Sequence, residues 1–170
     1  MNHPDLAAEI RKNACLRLQE NLDKILQCLT HFDDQSIWER SNENSLSIAN
    51  QLLHLSGNIT QYILSGLGKS PDYRNRDAEF SARSGFKKST LVDKFSTVVK
   101  NAISLIENCS ADDLLQIRAV QGFELSGTGI IIHVVEHMSY HTGQIVSHTK
   151  KIIDRPMGFY DSVDLNIKNV

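Results

Sequence analysis

The sequence Ile130-Ile-Ile-His-Val-Val-Glu-His-Met-Ser-Tyr-His-Thr-Gly-Gln-Ile-Val-Ser-His148 contains four of the seven histidines of a 170-residue chain. Apolar residues recur in it at helical intervals, which predicts one long helix. At about 100° per residue, His137, His141 and His148 lie within about 40° of one another on this helix. Their row borders the apolar face, so we expect the imidazole rings at the edge of the core.

The spacing between His137 and His141 is the part of this pattern that points to chemistry. Side chains four residues apart on a helix have Cβ atoms about 6 Å apart, so both rings can face one metal ion. The same spacing also occurs in helices whose histidines bind no metal, and by itself the pair leaves both possibilities open. No glutamate follows His137 directly, which excludes the His-Glu-x-x-His motif of zinc proteases.

Length and composition limit the class of protein. A chain of 170 residues fits one domain, residues 1–170, and can bury a sizeable core. A formal net charge of −2, with both signs interspersed, gives no nucleic-acid footprint. No apolar run approaches the roughly 20 residues of a membrane span, and the first residues lack a leader pattern. We therefore expect a soluble, cytoplasmic protein with neither a nucleic-acid nor a membrane partner.

The cysteine content agrees with a reducing compartment. Cys15, Cys28 and Cys109 are odd in number and widely separated, and they form neither a CxxC pair nor a disulfide framework. We expect each of them to be a small buried apolar residue.

Helical periodicity predicts three further long helices before the histidine helix. In chain order the four helices span about 5–31, 45–67, 90–108 and 128–151. Residues 69–87 form a long polar connection between the second and third helices. At up to about 3.4 Å per residue, this connection can travel the length of a helix, so the second and third helices are predicted to run parallel.

Two smaller segments have weaker patterns. Residues 115–120 and 123–125 alternate enough to predict a small hairpin before the histidine helix. In the long connection, Arg74, Arg76 and Arg83 are expected to be solvated charges, with binding of an acidic substrate as the alternative.

His54, in the second predicted helix, is ambiguous from periodicity alone. Its projection is nearer the polar side than the apolar stripe, which favours a solvated histidine over a buried ligand. Its neighbours Asn50, Gln51 and Asn58 either form hydrogen bonds to a site or belong to the surface. The apolar stripe consists of Ile48, Leu52, Leu55, Ile59, Tyr62 and Ile63.

Two segments together resemble a known superfamily. The run from His133 to Ile145 and the segment Asn50-Gln-Leu-Leu-His54-Leu resemble the DinB-like, or YfiT-like, superfamily of metal-dependent proteins. The resemblance implies an all-α four-helix bundle with a long crossover between helices 2 and 3. It also implies that His54, His137 and His141 bind one divalent transition metal, with zinc or nickel as the expected ion.

The resemblance implies two chemistries for such a centre. A metal ion can activate a low-molecular-weight thiol, as in an S-transferase, or a water molecule, as in a hydrolase. The alternative is a non-catalytic bundle that acts through dimerisation or partner binding, and a homodimer is expected in either case. No side chain identifies itself as a catalytic base, and several roles stay open: those of His133, Glu136, Tyr140, Gln144 and His148.

Overall fold

The computed structural model describes residues 5–169. Within that range the regular secondary structure is helical except for one β-hairpin. The elements are α1 (Leu6–Leu29), α2 (Ile48–Ile59), α3 (Arg76–Ser81), α4 (Lys88–Asn108), α5 (Ala111–Leu115), β1 (Ile117–Val120), β2 (Phe123–Ser126) and α6 (Gly127–Ile153). None of these helices combines the length and apolarity needed to cross a bilayer.

The four long helices form a bundle, which confirms the predicted all-α architecture. α1 packs against α4 and α6, and α2 packs against the same two helices. Their apolar faces meet in one core, because burying apolar side chains is the main favourable contribution to folding. Fully buried side chains come from every long helix, including Leu18, Leu55, Phe95 and Met138.

Side-chain caps define where the helices begin. Asp5 accepts a hydrogen bond from the backbone N–H of Ala7 at the start of α1, and Ser126 accepts one from Gly129 at the start of α6. Ser47 and Asn50 form a reciprocal capping box at the start of α2. Such caps satisfy N–H groups that have no partner within the helix.

α2 continues without a break into a wider π-helical segment, Thr60–Leu67. The N–H of Gly68 donates to the carbonyl of Ile63, five residues earlier. π-helical turns are rare and are often found near functional sites. Tyr62 lies in this segment and is buried, with its ring stacked on that of His133.

The connection between α2 and α4 is not the solvated loop that its polar composition predicts. It contains α3, which docks on the start of α2. The amide Nδ2 of Asn50 donates to the backbone carbonyls of Glu79, at 2.8 Å, and Ala82, at 2.9 Å. Arg40 Nη2 also donates to the carbonyl of Phe80, at 3.0 Å. These tertiary hydrogen bonds hold a six-residue helix that is too short to be stable alone.

The smaller predictions are confirmed in outline. β1 and β2 pair as an antiparallel hairpin, with the turn at Gln121 and Gly122 in the left-handed region, as a two-residue hairpin turn requires. The predicted cysteine environments are confirmed, since all three thiols are buried. The segment after α6 folds back on α1, where Gln27 Nε2 donates to the carbonyl of Met157 at 2.7 Å.

The docking of α3 gives a first prediction. Replacing Asn50 with alanine removes the α2 capping box and leaves buried carbonyls of the α3 segment without this donor. We expect the free energy of unfolding to fall by about 2–3 kcal/mol, measured by urea denaturation. Asn101→Ala, on an exposed position of α4, is the control and should change it by less than about 0.5 kcal/mol. Equal effects of the two substitutions would contradict a structural role for Asn50.

Candidate metal centre

Three histidines converge where α2 packs against α6. His137 and His141 extend from consecutive turns of α6, and His54 extends towards them from the middle of α2. One ring nitrogen of each lies within 4.8 Å of the others, and Nε2 of His54 is 2.8 Å from Nε2 of His137. Among residues 5–169, no other group of three histidine, cysteine or carboxylate side chains is arranged this closely.

His54 is buried, with 6% of its surface exposed, so the interpretation from periodicity as a solvated histidine is wrong. That interpretation assumes that one side of α2 faces solvent. In the structure, 11 of the 12 residues of α2 are buried, because α3 covers the side away from the bundle core. A polar residue on that side is therefore as enclosed as a residue on the apolar stripe.

Hydrogen bonds from the opposite ring nitrogens orient two of the three imidazoles. Nδ1 of His54 is 3.1 Å from Oε2 of Glu79, and Nδ1 of His141 is 3.2 Å from Oε1 of Gln51. Oxygen acceptors at these positions favour a proton on Nδ1, which leaves the lone pair of Nε2 directed into the cluster. Of the two alternatives for Gln51, a surface residue or a hydrogen-bonding partner of the site, the structure shows the second.

Arg74 is part of the same network rather than a solvated charge. Its side chain is 3% exposed, and it donates from Nε to Oε1 and from Nη2 to Oε2 of Glu79, both at 2.8 Å. Arg76 and Arg83 are exposed, as predicted for the connection. The different environment of Arg74 arises from α3, which the sequence pattern did not predict.

The electrostatic environment keeps the imidazoles of His137 and His141 neutral. Burial, together with the neighbouring histidines, lowers the pKa of His137 to about 3, and burial and His54 lower the pKa of His141 to about 4. Burial alone would raise the pKa of Glu79, but hydrogen bonds from Arg74 and His54 outweigh it and lower the pKa. At neutral pH His137 and His141 thus present uncharged nitrogen donors, and the nearby Glu79 is ionised.

The other histidines of α6 lie outside this cluster. His133 stacks between Tyr62, with ring centres 4.2 Å apart, and His137, at 5.6 Å. Asn58 Nδ2 is 3.4 Å from Nε2 of His133. His148 lies near Phe32 instead, with ring centres 6.0 Å apart. Of the histidine row of α6, only His137 and His141 therefore belong to the cluster.

A polar groove of about 670 Å³ adjoins the cluster at His141. It is open to solvent, so small molecules can reach this side of the cluster. The side chains along it are mostly hydrogen-bonding groups, among them Ser45, Gln51, Tyr140, Gln144, His148 and Lys151.

The side chains of the cluster fit a divalent transition metal. Neutral imidazole nitrogens are suitable ligands for zinc, nickel, copper and ferrous iron. The two Nδ1 contacts described above are the hydrogen bonds that ligating histidines normally make through their second nitrogen. A metal ion can therefore be held by His54, His137 and His141, while the donor set by itself does not distinguish zinc from nickel.

Comparison with known proteins supports the same fold. The sequence model of a family described as "Protein of unknown function (DUF1572)" matches residues 6–158. A crystal structure of a DinB-like protein from Bacillus cereus ATCC 10987 superposes with a TM-score of 0.63, covering 82% of this chain and 89% of that chain. The two sequences are 15% identical, so this similarity concerns the fold. No curated protein matches the chain.

The lowered histidine pKa values predict acid sensitivity of the metal-free protein. In the unfolded chain these histidines have the ordinary pKa of 6.5, whereas His137 and His141 in the folded protein have values of about 3 and about 4. As pH falls below 6.5, the unfolded chain binds protons that the folded chain does not. The free energy of unfolding should therefore fall, by at most about 1.4 kcal/mol per pH unit for each histidine.

Urea denaturation in the presence of a chelator, at about pH 7.5 and about pH 5, measures this effect. The double variant His137→Gln, His141→Gln is the matched control, because it removes both titrating groups and keeps polar side chains. Its stability should change less between the two pH values than that of the wild type. An equal loss of stability in both proteins would contradict the interpretation that His137 and His141 are buried and neutral.

Proposed function

We propose that this chain, which belongs to the DUF1572 family of the DinB-like superfamily, is a metal-dependent enzyme. The proposed ligands are His54, His137 and His141. The observation that supports this proposal is the convergence of three ring nitrogens within 4.8 Å, with Nδ1 of His54 and His141 facing oxygen acceptors. Zinc or nickel is the proposed ion, since both accept imidazole nitrogen.

A divalent ion held by these residues would stabilise a thiolate or a hydroxide at neutral pH. The three proposed ligands are uncharged, so they leave the positive charge of the centre uncompensated. The ionised carboxylate of Glu79 contacts the far side of His54, and Arg74 neutralises it. The charge of the site thus favours an anionic reaction partner.

Between the two chemistries, we propose transfer of a low-molecular-weight thiol. Metal-dependent hydrolysis commonly uses a carboxylate as general base beside the bound water, and both oxygens of Glu79 already accept hydrogen bonds from Arg74. A thiol has an ordinary pKa of about 8.5 and loses its proton far more readily than water. Its sulfur would form the new bond to an electrophilic carbon, the leaving group would depart with the electron pair, and the thiol proton would pass to solvent.

The groove beside His141 is the proposed entrance for these reactants. It reaches the cluster at His141 and Gln51 and is lined by hydrogen-bonding side chains. Its polar lining suits a hydrophilic small molecule better than an apolar one. We propose that the thiol and its electrophile meet at this end of the groove.

Metal content tests the proposed centre. Protein purified without added metal should contain about one ion per chain, and His54→Ala, His137→Ala and His141→Ala should each reduce this to below about one tenth. His148→Ala is the control on the same helix and should retain the metal, because His148 lies outside the cluster. Elemental analysis gives the content, and circular dichroism verifies that each variant remains helical. Retention of the ion by His137→Ala would contradict the ligand assignment.

Consumption of free thiol separates the two chemistries. The wild type is expected to accelerate loss of thiol in a mixture with a generic electrophile, and His137→Ala is expected not to do so. Hydrolysis of an activated ester without thiol consumption would favour the hydrolase instead. A metal-loaded protein with neither activity would favour a non-catalytic bundle that acts through dimerisation or partner binding.

Three expectations from the sequence stay predictions. These are a homodimer in solution, a cytoplasmic location and a single domain over residues 1–170. Analytical ultracentrifugation of the metal-loaded protein tests the first, because a homodimer of a 19.1 kDa chain sediments with twice the monomer mass.

A further inference from the structure

The crossover helix α3 places a buried ion pair directly behind His54. Glu79 is 9% exposed, and Arg74 holds both of its carboxylate oxygens. The remaining donor of the guanidinium, Nη1, is anchored on Oε1 of Gln61 at 2.9 Å. A buried ion pair loses solvation, and this loss is offset only where the geometry is well satisfied. Because the ion pair itself adds little to stability, we expect it to act on a neighbouring group.

Nδ1 of His54 has two neighbours that require opposite protonation states. Oε2 of Glu79, at 3.1 Å, only accepts and therefore requires a proton on Nδ1. Nη2 of Arg74, also at 3.1 Å, only donates and therefore requires a bare Nδ1. In the first tautomer the lone pair of Nε2 is free for a ligand. In the second, Nε2 carries the proton and can donate to Nε2 of His137, 2.8 Å away.

We propose that Glu79 is a positioning residue that holds His54 in the tautomer with the proton on Nδ1, and that Arg74 orients the Glu79 carboxylate for this purpose. The inference rests on the proposed metal centre, because only that tautomer of His54 can bind an ion through Nε2. Without Glu79, Arg74 and His137 together favour the opposite tautomer. In that tautomer Nε2 of His54 donates its proton to His137 and cannot bind an ion.

The hydrogen-bond geometry explains why Glu79 prevails over Arg74. Nη2 of Arg74 lies 2.8 Å from Oε2 of Glu79 but 3.1 Å from Nδ1 of His54, so its stronger bond is to the carboxylate. Nη2 is thus already bonded to Oε2, and the ring N–H of His54 adds a second charge-assisted bond to the same oxygen. Glu79 and His54 are also both buried, and bonds between buried groups are least weakened by water.

Gly57 makes this arrangement possible. It lies one turn after His54 on α2 and faces Glu79 and Arg74. A Cβ atom at this position would collide with Oε1 of Glu79 and would lie 3.0 Å from Nε of Arg74. Because Arg74 and His54 fix the carboxylate from two sides, it cannot give way without losing one of these contacts. A methyl group at Gly57 would therefore displace Glu79 while leaving every proposed ligand in the chain.

The tautomer of His54 tests the proposal in the metal-free protein. Two-dimensional nitrogen NMR of histidine-labelled protein distinguishes a protonated from a bare Nε2. We expect a bare Nε2 in the wild type and a shift towards protonated Nε2 in Glu79→Gln, whose amide can donate to Nδ1. A protonated Nε2 in the metal-free wild type, or an unchanged tautomer in Glu79→Gln, would overturn the proposal.

Zinc affinity, measured by competition with a chelating dye, gives a second readout. Glu79→Gln and Gly57→Ala should each weaken zinc binding by about 10–100-fold, the usual effect of removing such a hydrogen-bonding partner. Gly143→Ala is the matched control, because it is the same change within a helix and its Cβ would meet nothing within 4 Å. It should leave both zinc affinity and the His54 tautomer unchanged. Full affinity in Glu79→Gln and Gly57→Ala would overturn the proposal.

The two readouts separate failure of this proposal from failure of the metal centre. If His137→Ala loses zinc while Glu79→Gln keeps it, the centre stands and the role of Glu79 is wrong. If the wild type binds no zinc or nickel but His54 has the bare Nε2 only when Glu79 is present, the positioning of His54 stands and the metal-dependent function is wrong. Thermal unfolding of each variant shows that these comparisons are made on folded protein.

Discussion

Polar groups buried between α2 and α6 must have polar partners, and this requirement determines the structure around the histidines. A buried polar group without a hydrogen-bond partner lowers the stability of a protein by roughly 1–3 kcal/mol, as judged from mutational data. His54 and His141 are both almost fully buried, and each has an oxygen acceptor on Nδ1. For His54 that acceptor is Glu79, which in turn needs Arg74. The crossover helix α3 therefore belongs to the site as much as to the fold, since it supplies the partner that α2 and α6 do not.

The bundle itself was predictable because each long helix has a clear apolar stripe and recognisable ends. Helical spacing also placed His137 and His141 side by side, since that relation depends only on helix geometry. The position of His54 does not follow from helix geometry in the same way. Periodicity predicts that it faces solvent, and only the resemblance to the DinB-like superfamily assigns it to the site. The physical reason is that periodicity describes a helix with one exposed side, whereas α3 encloses α2 on that side as well.

Glu79 and Arg74 could not be recognised from the sequence. They lie in a polar connection of the kind that usually indicates a solvated loop, and their partner is 20 or more residues away along the chain. Short helices such as α3 have weak local signals because their stability comes from tertiary contacts, here with Asn50 and Arg40. The sequence also does not show why residue 57 is a glycine. The reason is visible only in the structure, where a Cβ atom at Gly57 would collide with Glu79.

The proposed function requires that three imidazoles from α2 and α6 bind one metal ion. X-ray absorption spectroscopy at the metal edge tests it most directly, because the fine structure counts imidazole ligands independently of any assay of activity. We expect about three imidazole nitrogens at roughly 2.0–2.2 Å and no sulfur ligand, with one imidazole fewer in His54→Ala that is reloaded with metal. A spectrum with one imidazole or none, or one in which His54→Ala leaves the imidazole count unchanged, would contradict it.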